Sequence, residues 1–118
     1  MLSVLLGSQN AERVLQYLLA KEQGYLKEIS VFYDVAPSIL KKQVDKFENA
    51  GVIIGTSVGR TRILKLNKRY PFYKELEALL KKARISYPEE KQEDLLSKDR
   101  IRFRKKDKPL SYRDDENA

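Results

Sequence analysis

The stretch APSILKKQVDKFENAGVI, residues 36–53, constrains the chain more than any other. It carries a helix start, a helix stop and the opening of a strand. Pro37 suits a first helical turn, where its missing N–H would have had no intrahelical partner anyway. Gly51 suits the left-handed position that closes a helix. Between them Leu40, Val44 and Phe47 recur at helical spacing and make one apolar face. The pattern then changes period. Val52–Val58 and Thr61–Asn67 are rich in β-branched and aliphatic residues and are separated by Gly59 and Arg60, which predicts a short hairpin.

The flanking segments supply more helices. Ser8 is a suitable N-cap for a first helix whose Ala11, Val14, Leu15, Leu18 and Leu19 form a stripe, with Gly24 expected to end it. A second helix spans roughly Tyr25 to Tyr33, with Leu26, Ile29 and Phe32 inward, and Asp34 and Val35 make a short turn into the third. After the hairpin, Pro71 starts a fourth helix ending near Ala83. Phe72, Leu76, Leu79 and Ala83 line it, and Tyr73 and Leu80 widen the line. The expected fold class is mainly α with a small β-hairpin (α+β): three helices, a two-stranded wing, a C-terminal helix and a charged tail. That is the order of a winged helix-turn-helix, in which the third helix enters the DNA major groove. Residues 1–83 are expected to be the domain and 84–118 a charged, flexible tail, with a short helix possible from Pro88 to Leu96.

Charge agrees with a polyanionic partner. The 118 residues carry a formal +7. Residues 1–83 hold 14 Lys/Arg against 8 Asp/Glu, and residues 84–118 hold 10 against 9, so the excess sits on the folded part. A basic folded surface favours nucleic acid or anionic lipid, although a merely soluble basic protein has the same balance. The chain has no cysteine and no histidine. Thiolate metal sites, disulfides, cysteine or histidine nucleophiles and imidazole bases are thereby excluded. No carboxylate pair, phosphate-cradling glycine loop or nucleophile–base pair stands out, so neither an enzyme nor a cofactor is expected. Leu2–Leu6 is apolar but too short to span a membrane and lacks a basic leader, and a cytoplasmic location is the default expectation.

The polar side of the third helix carries the candidate chemistry. Ser38, Lys41, Lys42, Lys46 and Asn49 fall away from the Leu40–Val44–Phe47 face, and Ile39 lies outside the apolar stripe. Lysine pairs with phosphate or guanine, asparagine with adenine, and an exposed isoleucine can press on a thymine methyl. A solvated helix face is the ordinary account of any single lysine. The short preceding turn and the following glycine-turn hairpin change that balance. Asp45 and Glu48 count against it, although Asp45 can pair with Lys41 or Lys42 at helical spacing. The interface expected is therefore Pro37, Ser38, Ile39, Lys41, Lys42 and Lys46 from the helix, with Arg60, Thr61 and Arg62 from the hairpin. Arg60 and Arg62 can reach phosphates or a minor groove.

Residues 36–53, with Glu48-Asn49-Ala50-Gly51-Val52, resemble the corresponding helix and strand of ArsR/MarR-type winged-helix regulators. A closer resemblance is to the winged-helix domain found ahead of minimal nucleotidyltransferases. It is carried by Leu6-Gly7-Ser8, Ala11, Arg13-Val14-Leu15, Gly59-Arg60-Thr61-Arg62, Leu66-Asn67 and Tyr70-Pro71-Phe72-Tyr73-Lys74-Glu75-Leu76, and spans about residues 5–83. The resemblance implies base-reading positions at Ser38, Ile39, Lys41 and Lys42 and a wing at Arg60 and Arg62. ArsR-type metal sensors use cysteine and often histidine, both missing here, and no Asp-x-Asp follows Gly7-Ser8. Metal sensing and nucleotide transfer are therefore not expected.

The resulting expectation is a sequence-specific, double-stranded DNA-binding transcriptional regulator acting as a homodimer. Phe72, Tyr73, Leu76, Leu79, Leu80 and Ala83 are the expected dimerisation residues, because so wide a stripe exceeds what a small core can cover. The alternative is an antitoxin or adaptor binding a separate protein, such as a nucleotidyltransferase-type toxin encoded nearby. The segment Lys98–Lys108, with seven basic and two acidic residues, is expected to act as a phosphate-tracking arm or a docking strip, unless it is simply solvated.

Overall fold

A computed structural model describes residues 1–97; the basic segment Lys98–Lys108 and the acidic end of the chain lie outside the described residues. The element order is α1 (Ser3–Leu6), α2 (Gln9–Lys21), α3 (Leu26–Tyr33), α4 (Pro37–Asn49), β1 (Ile53–Val58), β2 (Thr61–Leu66), α5 (Tyr73–Ile85) and α6 (Glu89–Leu96). Ser8 caps α2, its Oγ accepting the Ala11 N–H at 3.0 Å. The leading segment that reads as merely apolar in sequence is the short helix α1, whose C-terminal carbonyl at Leu6 accepts Lys46 Nζ at 3.0 Å.

Gly24 does not end α2 as expected. The helix stops at Lys21, and the left-handed position falls on Glu22 with φ of 74°. Gly24 is instead extended. Its N–H donates to Leu64 O at 3.0 Å and its carbonyl accepts the Leu64 N–H at 2.9 Å, a bridge that adds one residue to the edge of the hairpin. A Cβ here would sit 2.7 Å from the Tyr17 ring, so close packing is what this position demands of glycine.

The turn between α3 and α4 runs through Asp34, left-handed at φ of 55°, then Val35 and Ala36. Ala36 gives α4 no side-chain cap, while Pro37 occupies its first turn. At the other end Gly51 has φ of 81°, and the Val52 N–H returns to Phe47 O at 2.8 Å, closing the helix over its last turn. Asn67 fastens the hairpin exit to this closure: its Nδ2 donates to Gly51 O at 2.9 Å and its N–H to Val52 O at 2.8 Å. Strands β1 and β2 pair antiparallel from Ile53 opposite Leu66 to Val58 opposite Thr61.

One core joins these elements. Val14, Leu15 and Leu18 of α2, Ile29 of α3, Leu40 of α4 and Leu80 of α5 are all fully buried, with Ile53, Leu64 and Leu66 closing it from the hairpin. Each such aliphatic side chain contributes roughly 1.5–3 kcal/mol. Helix α5 and its N-cap residue Phe72 divide three ways. Leu80 and Ala83 enter the core, Tyr73, Glu77, Lys81 and Arg84 face a groove, and Phe72 and Leu79 remain exposed at 62% and 37%.

The folded body does not stop at residue 83. Helix α6 packs on α2 and buries Leu95, and Lys21 Nζ donates to the Asp94 and Ser97 carbonyls at 3.0 and 2.7 Å. The corner between α5 and α6 is held at Glu12, which is 4% exposed. Its carboxylate accepts the Leu2 N–H at 2.7 Å, the terminal ammonium at 3.2 Å and the Tyr87 hydroxyl. Composition hides this, because the segment is polar throughout apart from Leu95 and Leu96 and its anchoring is by hydrogen bonds.

Candidate nucleic-acid interface

The exposed face of α4 is built from its N-terminal half. With Leu40 buried and Val44 and Phe47 facing the core, the 100° turn per residue leaves Ser38, Ile39, Lys41 and Lys42 outward. Ile39 is 46% exposed, an apolar side chain with no core role on an otherwise polar face. Lys41 Nζ lies 2.8 Å from Asp45 Oδ2, the i,i+4 pairing anticipated from sequence. Lys42 makes no ion pair among the described residues. Pro37 is exposed and serves the helix start.

Lys46 is engaged elsewhere. Its ammonium sits on the Leu6 carbonyl and 4.9 Å from the Phe47 ring centroid, tying α1 to α4. It is a structural tether first, and any phosphate would have to compete with that carbonyl.

The hairpin, seated on the core by Ile53, Leu64 and Leu66, is also joined to α4 by an ion pair that sequence reading missed. Arg62 Nη1 donates to Glu48 Oε1 at 3.0 Å while Nη2 meets Glu48 Oε2, a two-pronged contact between β2 and the last turn of α4. The hydrogen bonds and charge of Glu48 raise the Arg62 guanidinium above its ordinary value. Arg62 is on the same side of β2 as Leu64 and Leu66, the side that faces the core, and projects past the core's edge onto Glu48. It is therefore bound to the protein's own helix and does not hang free from the wing. Gly55, opposite Leu64, makes the room: a Cβ there would strike both the Arg62 guanidinium and the Glu48 carboxylate. A lone glycine inside a strand was the available signal. Arg60, at the turn with Gly59 at φ of 63°, remains exposed, as does Thr61, whose Oγ1 donates to Val58 O at 2.9 Å.

Of the nine expected interface residues, the structure thus brings Pro37, Ser38, Ile39, Lys41 and Lys42 together on one exposed helix face. Arg60 and Thr61 stand at the tip of the adjoining hairpin, and Lys46 and Arg62 are held in internal contacts. Of the expected dimerisation residues, Leu80 and Ala83 belong to this chain's own core, Tyr73 and Leu76 are partly covered, and Phe72 and Leu79 are outward.

A three-helix core with a tight turn before its third helix, a two-stranded hairpin clamped to that helix and a following helix define a winged helix-turn-helix domain. No family model matches the chain, and no curated protein matches it. Among solved structures, the apo form of a double variant of ZitR from Lactococcus lactis is similar over 72% of this chain and 73% of that one, with a TM-score of 0.45 and 14% identity. At that distance the architecture rests on the helix order, hairpin register and packing described above. Among the described residues no helix is long and apolar enough to cross a membrane, and no group of three or more metal-ligating side chains converges.

Proposed function

We propose that this chain is a sequence-specific double-stranded DNA-binding transcriptional regulator that acts as a homodimer in the cytoplasm. The observation that carries the reading is the exposed N-terminal half of α4, where Ser38, Ile39, Lys41 and Lys42 face outward beside a clamped hairpin whose tip carries Arg60. Such a helix can enter a major groove with its early residues at base edges. Lys41 and Lys42 then supply phosphate or guanine contacts and Ile39 a methyl contact, while Arg60 approaches the backbone. The outward Phe72 and Leu79 support a symmetric partner, which would set two reading helices about one DNA turn, ~34 Å, apart on a palindromic site.

The test is selection of bound duplexes from a random pool by the full chain, repeated at several salt concentrations. Enrichment of one two-fold symmetric motif, with affinity falling steeply as salt rises, is expected. Recovery of no motif at any salt concentration overturns the reading and returns the fold to the class of protein-binding winged helices.

A further inference from the structure

A second charged surface lies outside the proposed interface. Between the C-terminal end of α2, the β2–α5 connection and one face of α5 runs an open groove of about 1130 Å³. Lys65, Lys68, Arg69 and Arg84 line it without an ion pair among the described residues, while Lys81 is 3.4 Å from Glu77. Three carboxylates, Glu22, Glu28 and Glu77, share the lining with these five cations and Lys21, so positive charge is in excess. Leu19, Ile54 and Leu96 add apolar surface. The groove is too large and open for an ordinary small-molecule pocket and has the mixed lining that suits an extended peptide.

The chain leaves the described body at this groove. Leu96 lines it, and the carbonyl of Ser97, the last described residue, accepts Lys21 Nζ at 2.7 Å. Asp114, Asp115 and Glu116 begin seventeen residues further on, preceded by Leu110 and Tyr112. Seventeen residues reach at most about 60 Å when fully extended, and a 13-residue helix such as α5 is about 20 Å long. The acidic cluster is therefore tethered within reach of the whole groove, so its pairing there is intramolecular and weak charge complementarity suffices.

We propose that this groove receives the chain's own acidic segment, Leu110–Glu116. Asp114, Asp115 and Glu116 complement the charge of Lys68, Arg69 and Arg84, Leu110 and Tyr112 suit the apolar lining, and Arg113 has the sign opposite to Glu22. The intervening segment Lys98–Lys108, with seven basic and two acidic residues, carries the wrong sign for these cations. A duplex fits this groove less well, since a charge about every 1.7 Å of helix axis would also meet Glu22 and Glu77.

The chain has no cysteine, so a spin label on Ser111→Cys reports from one place in the full-length protein. At low salt the amide signals of Lys68, Arg69, Glu77 and Lys81 should lose intensity, and those of Ser38–Lys42 should not. The loss should vanish at about 0.5 M salt, where exposed charges are screened beyond a few ångströms. It should also vanish in Asp114→Asn/Asp115→Asn/Glu116→Gln and in Lys68→Glu/Arg69→Glu, whose spectra report folding directly. Mixing spin-labelled, isotope-free chains with isotope-labelled, spin-free ones should produce no loss. Broadening absent, centred on α4, insensitive to the triple neutralisation or transmitted between chains would each overturn the proposal. The measurement contains no DNA, so its failure is independent of the failure of the regulator reading.

Discussion

Replacing Lys41 and Lys42 together by Ala separates a reading face from a solvated one. Both side chains are exposed on α4, and neither contributes to the core. Lys41 must leave Asp45 to reach a phosphate, but an exposed i,i+4 pair is worth only about 0.3–0.5 kcal/mol. Each phosphate contact contributes about 0.9 to the slope of log affinity against log salt, so losing two flattens it by about 1.8. Between 50 and 200 mM salt that slope amounts to roughly a tenfold change, so the defect of the double variant should be about tenfold larger at the low-salt end. Stability should move by less than about 0.5 kcal/mol, as for surface substitutions in general. Fluorescence anisotropy on the selected duplex, with urea denaturation of both proteins, measures the two quantities. Parallel salt lines for parent and variant, both folded, would refute the assignment of this helix face to DNA.

The Arg62–Glu48 clamp makes a different expectation: Arg62→Glu should weaken DNA binding, and adding Glu48→Arg should recover much of the loss, whereas an arginine that touched DNA itself would not be rescued. Leu79→Glu should give a monomer in sedimentation at tens of micromolar with the thermal midpoint little changed, and a dimer that survives it would exclude the outer face of α5. Tyr87→Phe removes one donor from the buried Glu12 carboxylate and should cost about 1–2 kcal/mol, or several degrees of melting temperature. Burial pushes the Glu12 carboxyl up, but hydrogen bonds from Tyr87, the Leu2 N–H and the terminal ammonium outweigh it and leave it below the usual carboxylate range. The stability it contributes is therefore present above the unfolded value near ~4 and is lost as pH falls through the lower folded value. In the Phe variant that loss should begin at higher pH, which acid denaturation monitored by circular dichroism will detect.

How far the sequence could be read depended on the kind of signal each element carries. Helices α2 to α5 announce themselves through long-range apolar periodicity, and α4 adds Pro37 and Gly51 as punctuation, so its observed bounds follow closely from the residues. Gly24 misled because glycine has two uses. A positive φ and a close approach are identical in a sequence, and only the Tyr17 ring and the Leu64 bridge show that the second applies. The α6 segment reads as tail because eight polar-rich residues do not show their partner, and Lys21 and Glu12 lie more than seventy residues away from theirs. Six apolar residues from Phe72 to Ala83 read in sequence as one stripe. Its division into Leu80 and Ala83 inside and Phe72 and Leu79 outside required knowing where α2 crosses it.

Carboxylates on a helix proposed to meet DNA set a physical problem that the structure addresses twice. Asp45 has Lys41 within 2.8 Å, and Glu48 is held by Arg62. The two are not equivalent. The Asp45 pair is exposed at both ends, exchanges readily with water and can yield its lysine to a phosphate. Glu48 is largely covered, and its arginine comes from a different element, so releasing it would remove a contact between β2 and α4 and leave a carboxylate unpaired beside the proposed interface. In the proposed complex Arg62 would support binding by cancelling the Glu48 charge and helping to orient the wing, with no contact to DNA required. An Arg62→Ala variant alone would lose affinity on every sequence alike, the same signature as a lost phosphate contact. Only reversing both charges distinguishes the two origins, because the ion pair is symmetric under exchange and a contact to DNA is not.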